Sequence, residues 1–387
     1  LKKKEEKVTT SHHNKKESYL FNPFEIFFSG FSGSGKTTLI EKLVENLSDK
    51  YSIGYVKHDA HKFDMDHEGK DTFKLYNAGS NQILINDKDH FALIGKASQN
   101  SKSSLDFVLQ KKNLLNSDFV FVEGYKYNPY PKIVIIDEKE EILKDFEDGK
   151  VTNVVAFIGT EKIHEKNLIP YFNRDDIERI SNFIISYFEE KSLTLPIYGL
   201  VLAGGQSSRM KTNKANLIYH EKNQLEHSCD LLSKFCDKVF ISSREEQNYI
   251  SNYEKIHDTF LNIGPMGGIL SALSFLPKSA FLVLACDMPH ITEESIKKLI
   301  KERNPFKFAT SYINLENNFP EPLCTIYEPK SKSRLLDFLG IDYSCPRKVL
   351  INSEVELIKP DNNIEMSNIN HPEEYNETLV KLEKNKE

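Results

Sequence analysis

Apolar residues follow two rhythms along this chain. Short unbroken apolar runs alternate with longer stretches whose apolar positions recur at helical spacing. The first rhythm predicts buried strands and the second amphipathic helices. In the first half, Phe24–Ser29, Ile53–Val56, Gln82–Ile85, Phe119–Val122, Lys132–Ile136 and Val154–Ile158 read as strands, the last of them completing the sheet. Thr38–Leu47 reads as a helix, with Leu39, Ile40, Leu43, Val44 and Leu47 along one face. Asp175–Phe188 has the same spacing through Ile177, Ile180, Ile184, Ile185 and Phe188, and closes this half. Lys191–Pro196 is a polar, proline-ended junction. Beyond it, Tyr198–Leu202, Lys238–Ser242 and Phe281–Ala285 are strands separated by helical stretches, with no internal repeat. Strands alternating with helices predict α/β architecture in both halves.

Composition narrows the class. A chain of 387 residues carries a prior of about two to three domains. The apolar fraction of 39% is enough for globular cores, and a net charge of −6 gives no reason to expect nucleic acid as a partner. Phosphate ligands remain open, because local loops and lysines hold those. Cys229, Cys236, Cys286, Cys324 and Cys345 form no C-x-x-C pair, which argues against a zinc or redox site and for a reducing, cytoplasmic setting. Apolar runs such as Phe281–Cys286 are too short to span a bilayer, so no membrane partner is expected. Residues 1–21 read as a disordered polar tail whose basic start leads into no apolar signal segment.

Two glycine loops carry the candidate chemistry. Gly30-Phe31-Ser32-Gly33-Ser34-Gly35-Lys36-Thr37 matches the phosphate-loop pattern between a strand and a helix. Consecutive backbone N–H groups there curl around an anion at a helix N-terminus. Gly30, Gly33 and Gly35 allow the close approach, Lys36 supplies charge to the outer phosphates, and Thr37 can bind Mg2+. Ser34 and Thr38 complete the nucleotide-binding set. Glu123, at the carboxyl end of a strand, is either a second Mg2+ ligand acting through water or an ordinary exposed acid. Lys57, His58, Asp59, His61, Asp64, Asp66, His67 and Asp71 crowd one segment that either lies near a ligand or is a solvated loop. No N-K-x-D element is present, which disfavours a switch GTPase.

The second loop is Leu202-Ala203-Gly204-Gly205-Gln206-Ser207-Ser208-Arg209-Met210, with Lys214 beyond. Its glycines admit phosphate, while Arg209 and Lys214 would neutralise the charge of departing pyrophosphate. Asp287, in Ala285-Cys286-Asp287-Met288-Pro289, ends a buried strand and suits a Mg2+ bridging phosphates, or is a turn residue before Pro289. Asp258 precedes Gly264-Pro265-Met266-Gly267-Gly268, a segment that either closes over a substrate or forms a tight turn.

The first half resembles the molybdopterin-guanine dinucleotide biosynthesis adapter family, MobB, over about residues 22 to 160. The resemblance rests on Phe31–Leu39, Val56-Lys57-His58, Asp64-Met65-Asp66, Gly69–Thr72 with Ala78-Gly79, and Val122-Glu123-Gly124-Tyr125-Lys126. The second half resembles the molybdenum cofactor guanylyltransferase family, MobA, over about residues 197 to 380. That resemblance rests on the second loop, Lys214, Asp258, Gly264–Gly268, Cys286–Pro289 and Asn368-Ile369-Asn370-His371-Pro372-Glu373-Glu374.

The resemblances imply two domains. Residues 22–192 would be a P-loop NTPase-like α/β sheet domain that binds GTP as an adapter. Residues 193–387 would be a Rossmann-like nucleotidyltransferase domain. The implied reaction transfers GMP from GTP to molybdopterin, releasing pyrophosphate, with Mg2+ as cofactor. Leu202, Ala203, Gly204 and Gly205 would line the nucleotide, Lys214 its phosphates, Asp258 would contact GTP, and Asp287 would hold Mg2+. A molybdopterin-loading protein and apo-molybdoenzymes are implied as further partners, and a homodimer through the P-loop domain. The chain departs from the family run Arg-Met-Gly-x-Asp-Lys at Lys211 and Asn213, and Ser242 stands where the family often has asparagine. The competing readings are a transferase for CTP or a sugar phosphate, and a non-catalytic GTP-holding scaffold that delivers cofactor.

Overall fold

The computed structural model describes residues 24–58, 67–95, 111–160, 168–203, 214–219, 222–247, 251–315, 317–369 and 371–384. The chain divides into two compact units between Asn182 and Phe183, within the helix Ile177–Leu193. The sequence reading placed the junction further on, at Lys191–Pro196, and residues 191–193 belong to this helix.

The first unit is built on β1 (Glu25–Ser29), α1 (Lys36–Leu47), β2 (Ile53–Lys57), α2 (Asp71–Asn77), β3 (Gln82–Asn86), β4 (Phe91–Gly95), β5 (Phe119–Glu123), β6 (Lys132–Ile135), α3 (Glu141–Glu147), β7 (Val154–Gly159), β8 (Tyr171–Asn173) and α4 (Ile177–Leu193). Six strands form one parallel sheet in the order β2-β5-β1-β6-β7-β8. Strands covered on both faces need no polar alternation, so β1, β5 and β6 are buried along their whole length. Because the strands are parallel, the carboxyl ends of β1, β2, β5, β6, β7 and β8 share one edge, where ligands bind in such sheets.

Two strand expectations change. Gln82–Ile85 does form a strand, but among the described residues β3 pairs only with β4, as an antiparallel hairpin outside the main sheet. Its Leu84, Ile85, Phe91 and Leu93 are exposed. Val154–Ile158 is not the last strand, because β8 follows it and pairs in parallel with β7. Tyr-Phe-Asn is too short a run to register as a strand by pattern; it is held by an edge partner.

The second unit runs β9 (Ile197–Leu202), α5 (Gln224–Ser233), β10 (Lys238–Ser243), β11 (Glu254–His257), α6 (Pro265–Phe275), β12 (Ala280–Ala285), α7 (Glu293–Lys301), β13 (Ala309–Ile313), β14 (Pro320–Tyr327), α8 (Ser331–Leu339), α9 (Pro346–Ile351), β15 (Val355–Ile358) and α10 (Pro372–Lys384). The sheet order is β11-β10-β9-β12-β14-β13-β15. The first four strands are parallel, and β14 runs against both of its neighbours. Apolar residues cover both faces: Val201, Ile241, Leu282 and Leu284 belong to one core layer, and Leu200, Phe240, Phe281 and Val283 to the other.

Candidate functional site

In the first unit the loop between β1 and α1 adopts an anion-cradle shape. Gly33 and Gly35 have φ of 78° and 82°, left-handed values that favour glycine. A Cβ at Gly30 would meet Ser34 Oγ at 2.6 Å and Ile135 O at 2.7 Å, so this position admits only glycine without rearrangement. Lys36 Nζ donates to Phe31 O across the loop at 2.7 Å. Burial pushes the Lys36 ammonium below its ordinary range, Glu123 opposes that and Lys57 reinforces it. Thr38 follows at the exposed start of α1.

Thr37 and Glu123 are brought together. The Thr37 hydroxyl lies 3.1 Å and 3.0 Å from the two Glu123 carboxylate oxygens. Neighbouring parallel strands create this meeting, since Glu123 ends β5 beside β1. The Tyr55 hydroxyl donates to Glu123 Oε2 at 2.7 Å from β2, on the far side of β5. Burial and that carboxylate push the Tyr55 phenol well above its ordinary value. His58 is placed at the same edge: its backbone N–H donates to Glu123 O at 3.0 Å, and its ring stacks on Tyr125 with centroids 4.1 Å apart. Asp59, His61, Asp64 and Asp66 lie outside the described residues. Of the rest of that cluster, Asp71 opens α2 and faces Lys74 at 3.5 Å, which is surface helix chemistry.

Sequence reasoning missed Arg174. Its guanidinium reaches the phosphate loop from beyond β8, 140 residues away in sequence. A single arginine after a three-residue strand carries no local signal, and only the strand order brings it here. It also missed Tyr55, whose neighbours read simply as strand.

In the second unit, Leu202 and Ala203 are buried at the end of β9. Ala203 N donates to Ser242 O at 3.1 Å and Cys286 N to Leu202 O at 3.3 Å, which ties this end to β10 and β12. Gly204, Gly205, Arg209, Lys211 and Asn213 lie outside the described residues. Lys214 opens a short 3-10 turn, Lys214–Asn216. Asp258 follows β11, and Asp287 follows β12. Three strand steps separate those strands, which at about 4.8 Å per step sets the two aspartates roughly 14 Å apart at the backbone. They flank the end of β9 from opposite sides and cannot ligate one ion together.

Burial raises the Asp258 carboxyl above its usual range, while the Ser242 hydroxyl, Arg244 and His257 oppose the rise. The Asp287 carbonyl accepts from Ile369 N at 2.9 Å, which brings the Asn368–Ile369 strip against it. Asn370 lies outside the described residues. Beside Asp287 a polar pocket is lined by Asn314, Glu321, Arg347, Ser367 and Asn368. Glu321 is buried there and accepts from Arg347 Nη2 at 3.3 Å. Gly264–Gly268 is not a turn alone but the start of a helix. It opens α6, with Gly267 against Phe260 O and Gly268 against Ser242 Oγ, where an added Cβ would come within 2.2 Å of each.

Among the described residues no group of three or more His, Cys, Asp or Glu side chains forms a metal cluster. Each site instead offers one carboxylate at a strand end. That donor set fits Mg2+, which keeps several waters and is held by one or two carboxylates plus substrate phosphates.

This fold and these strand-end sites define a P-loop nucleotide-binding unit followed by a Rossmann-like nucleotidyltransferase unit. Residues 26–160 match the family described as molybdopterin guanine dinucleotide synthesis protein B, and residues 199–354 match the MobA-like NTP transferase domain. The chain belongs to the first family over its N-terminal unit and to the second over its C-terminal unit. It is 32% identical over 179 residues to a probable molybdopterin-guanine dinucleotide biosynthesis adapter protein of Bacillus subtilis, covering 45% of this chain and 98% of that one. It is 34% identical over 165 residues to a probable molybdenum cofactor guanylyltransferase of Clostridium perfringens, covering 41% and 74%. It is 39% identical over 183 residues to a molybdenum cofactor biosynthesis bifunctional protein of Synechocystis, covering 46% and 53%, so the match spans about half the length of that relative. No helix among the described residues is long and apolar enough to cross a membrane.

Proposed function

We propose that this chain transfers a guanylyl group to molybdopterin in its second unit and binds GTP as an adapter in its first. The observation that carries this reading is the presence, in one chain, of two families whose relatives, an adapter protein and a guanylyltransferase, are both named for making the guanine dinucleotide form of the molybdenum cofactor. The terminal phosphate oxygen of molybdopterin attacks the α-phosphorus of GTP. A new P–O bond forms, the bond to the β-phosphate oxygen breaks, and pyrophosphate leaves with that electron pair. The product is molybdopterin guanine dinucleotide.

The chain's own residues contribute position and charge. Leu202, Ala203, Gly204 and Gly205 line the nucleotide, and Arg209 and Lys214 meet the phosphate chain. Asp258 holds GTP on one side of the β9 end. Asp287, on the other side, would hold Mg2+, which supplies charge neutralisation to the phosphates. The Asn314, Glu321, Arg347 and Asn368 pocket beside Asp287 supports docking of the second substrate there. In the first unit Thr37 and Glu123 would hold Mg2+ and Lys36 the outer phosphates.

The exposed apolar residues of the β3–β4 hairpin support self-association of the first unit, which a concentration series in analytical ultracentrifugation tests. A molybdopterin-loading protein and apo-molybdoenzymes are the expected partners on either side of the reaction. Cys229, Cys236, Cys286, Cys324 and Cys345 are free thiols, Cys229, Cys286 and Cys324 of them buried, and a cytoplasmic setting suits such thiols.

The deciding experiment is pyrophosphate release with Mg2+ and molybdenum-loaded molybdopterin, with GTP and CTP in parallel. Release with GTP alone is expected. Release with CTP alone reassigns the nucleotide, and GTP binding without release with either nucleotide replaces the enzyme with a scaffold.

A further inference from the structure

Arg174 grips the phosphate loop from outside its own motif. Its backbone N–H donates to Gly159 O at 2.9 Å, which seats the residue at the carboxyl end of β7. Nη2 donates to Ser34 O at 2.8 Å and to Ile136 O at 3.3 Å. Ile136 follows β6, the strand next to β1, so this one residue ties the ends of β7, through its backbone, and β6, through its guanidinium, to the loop. Nη1 lies where a Cβ on Gly35 would come within 3.0 Å of it.

The consequence lies in the Ser34–Gly35 peptide. A trans peptide points its C=O and N–H to opposite sides, and no peptide described in this chain is cis. Holding Ser34 O toward Arg174 therefore turns the Gly35 N–H away from Arg174. The N–H groups of such a loop are what hold an anion at a helix N-terminus. Gly35 has φ of 82°, and a glycine there can rotate its peptide at little steric cost. The loop's sequence supplies that freedom, and something else must remove it.

We propose that Arg174 is a positioning residue for the nucleotide phosphates: by holding the Ser34 carbonyl it fixes the Gly35 N–H in its anion-binding direction. A lysine ammonium would end one bond short of the Nη2 position, from which a single nitrogen donates to both carbonyls. The guanidinium also leaves a permanent positive charge against the loop. This rests on the reading that the first unit's loop holds nucleotide phosphates.

The test uses the full chain and a fluorescent GTP analogue, with Lys36→Ala identifying the binding component that belongs to this loop. Unlabelled GTP and inorganic tripolyphosphate serve as competitors, the second carrying phosphates without base or sugar. Arg174→Ala is expected to weaken the Lys36-dependent component by about 10-fold or more, the scale of a lost hydrogen bond to a charged group. Competition by tripolyphosphate should weaken by the same factor, because the loss is at the phosphates. A strut that only supports the fold would instead lower the unfolding temperature and leave the tripolyphosphate competition unchanged, and that result overturns the proposal. Wild-type affinity in Arg174→Ala, with loss in Lys36→Ala, overturns it while leaving the loop's nucleotide reading intact. No loss in Lys36→Ala removes the reading and this proposal with it. If Arg174→Ala does not fold, Arg174→Lys decides. It keeps a cation but ends one bond short of the Nη2 position, so weakened binding is expected and wild-type affinity counts against the role.

Discussion

Ser242 Oγ donates to Asp258 Oδ1 at 2.7 Å across the ends of two parallel strands, β10 and β11. Ser242 is 2% exposed, and Gly268 packs directly on its hydroxyl. A serine fits there, whereas asparagine would have to displace the start of α6. The bond favours the ionised form of Asp258 and so opposes the burial that raises its carboxyl. Ser242→Ala should therefore raise the Asp258 pKa further. The acid limb of the pH–rate profile for guanylyl transfer should move to higher pH, with about a 10-fold loss near the limb. A profile that keeps its acid limb in place means that Asp258 acts without this hydroxyl.

Asp287 and Lys36 separate the work of the two units. Asp287→Ala should cut pyrophosphate release by about 100-fold or more, the scale for removing one preorganised charge-stabilising element. Lys36→Ala should weaken nucleotide binding to the first unit and leave measurable transfer. Near-normal turnover in Asp287→Ala removes the Mg2+ assignment, and complete loss of transfer in Lys36→Ala makes the first unit more than an adapter.

Lys132 gives the first unit a pH-dependent stability. Its side chain is fully buried in β6, and Nζ donates to the carbonyls of Asn128 and Thr152 with no carboxylate partner among its described contacts. Burial pushes its ammonium down to about 8 from 10.5. The folded pKa lies below the unfolded one, so the cost of burying the cation is fully present below about pH 8. Stability should rise as pH climbs from there toward 10.5, because only the unfolded chain still binds the proton. The slope is about 1.4 kcal/mol per pH unit. Urea midpoints at pH 7.5 and 9.5 for the native chain and Lys132→Met should diverge in the native chain's favour at the higher pH. Equal shifts in both show that Lys132 is not the source.

Arg303 and Glu328 form a largely buried two-point pair, Nε to Oε1 at 2.7 Å and Nη2 to Oε2 at 2.8 Å. Glu328 is 1% exposed, on the turn that follows β14. Removing Glu328 leaves the largely buried Arg303 guanidinium without its carboxylate, so Glu328→Ala should destabilise the second unit by about 3 kcal/mol. Replacing both by apolar residues of similar volume, Arg303→Met with Glu328→Leu, should recover most of that. A denaturant double-mutant cycle measures it, and additive losses would refute the coupling.

Much of the candidate chemistry was legible because it is local. The phosphate loop needs glycines, a lysine and a threonine in consecutive order, and an uninterrupted apolar run before it suffices to predict β1. Glu123 was legible as a strand-end acid, but its closeness to Thr37 depended on β5 pairing with β1. The hairpin strand β3 was legible as a strand and misplaced as a sheet member, since an apolar run of that length does not say which strand it pairs with. β8 was invisible, because Tyr171–Asn173 owes its extended form to the β7 edge rather than to its own pattern.

The sequence alone determined the α/β alternation, the two glycine loops and the carboxylates at strand ends, because each is written in residues a few positions apart. Tertiary structure alone decided which distant groups face those loops: Arg174 on Ser34 O, Tyr55 on Glu123, Ser242 on Asp258 and Gly268 on Ser242. The reason is physical. Strand order is set by how buried surfaces and backbone hydrogen bonds are jointly satisfied across the whole unit, and that order, not proximity in the chain, determines what stands beside each strand's carboxyl end.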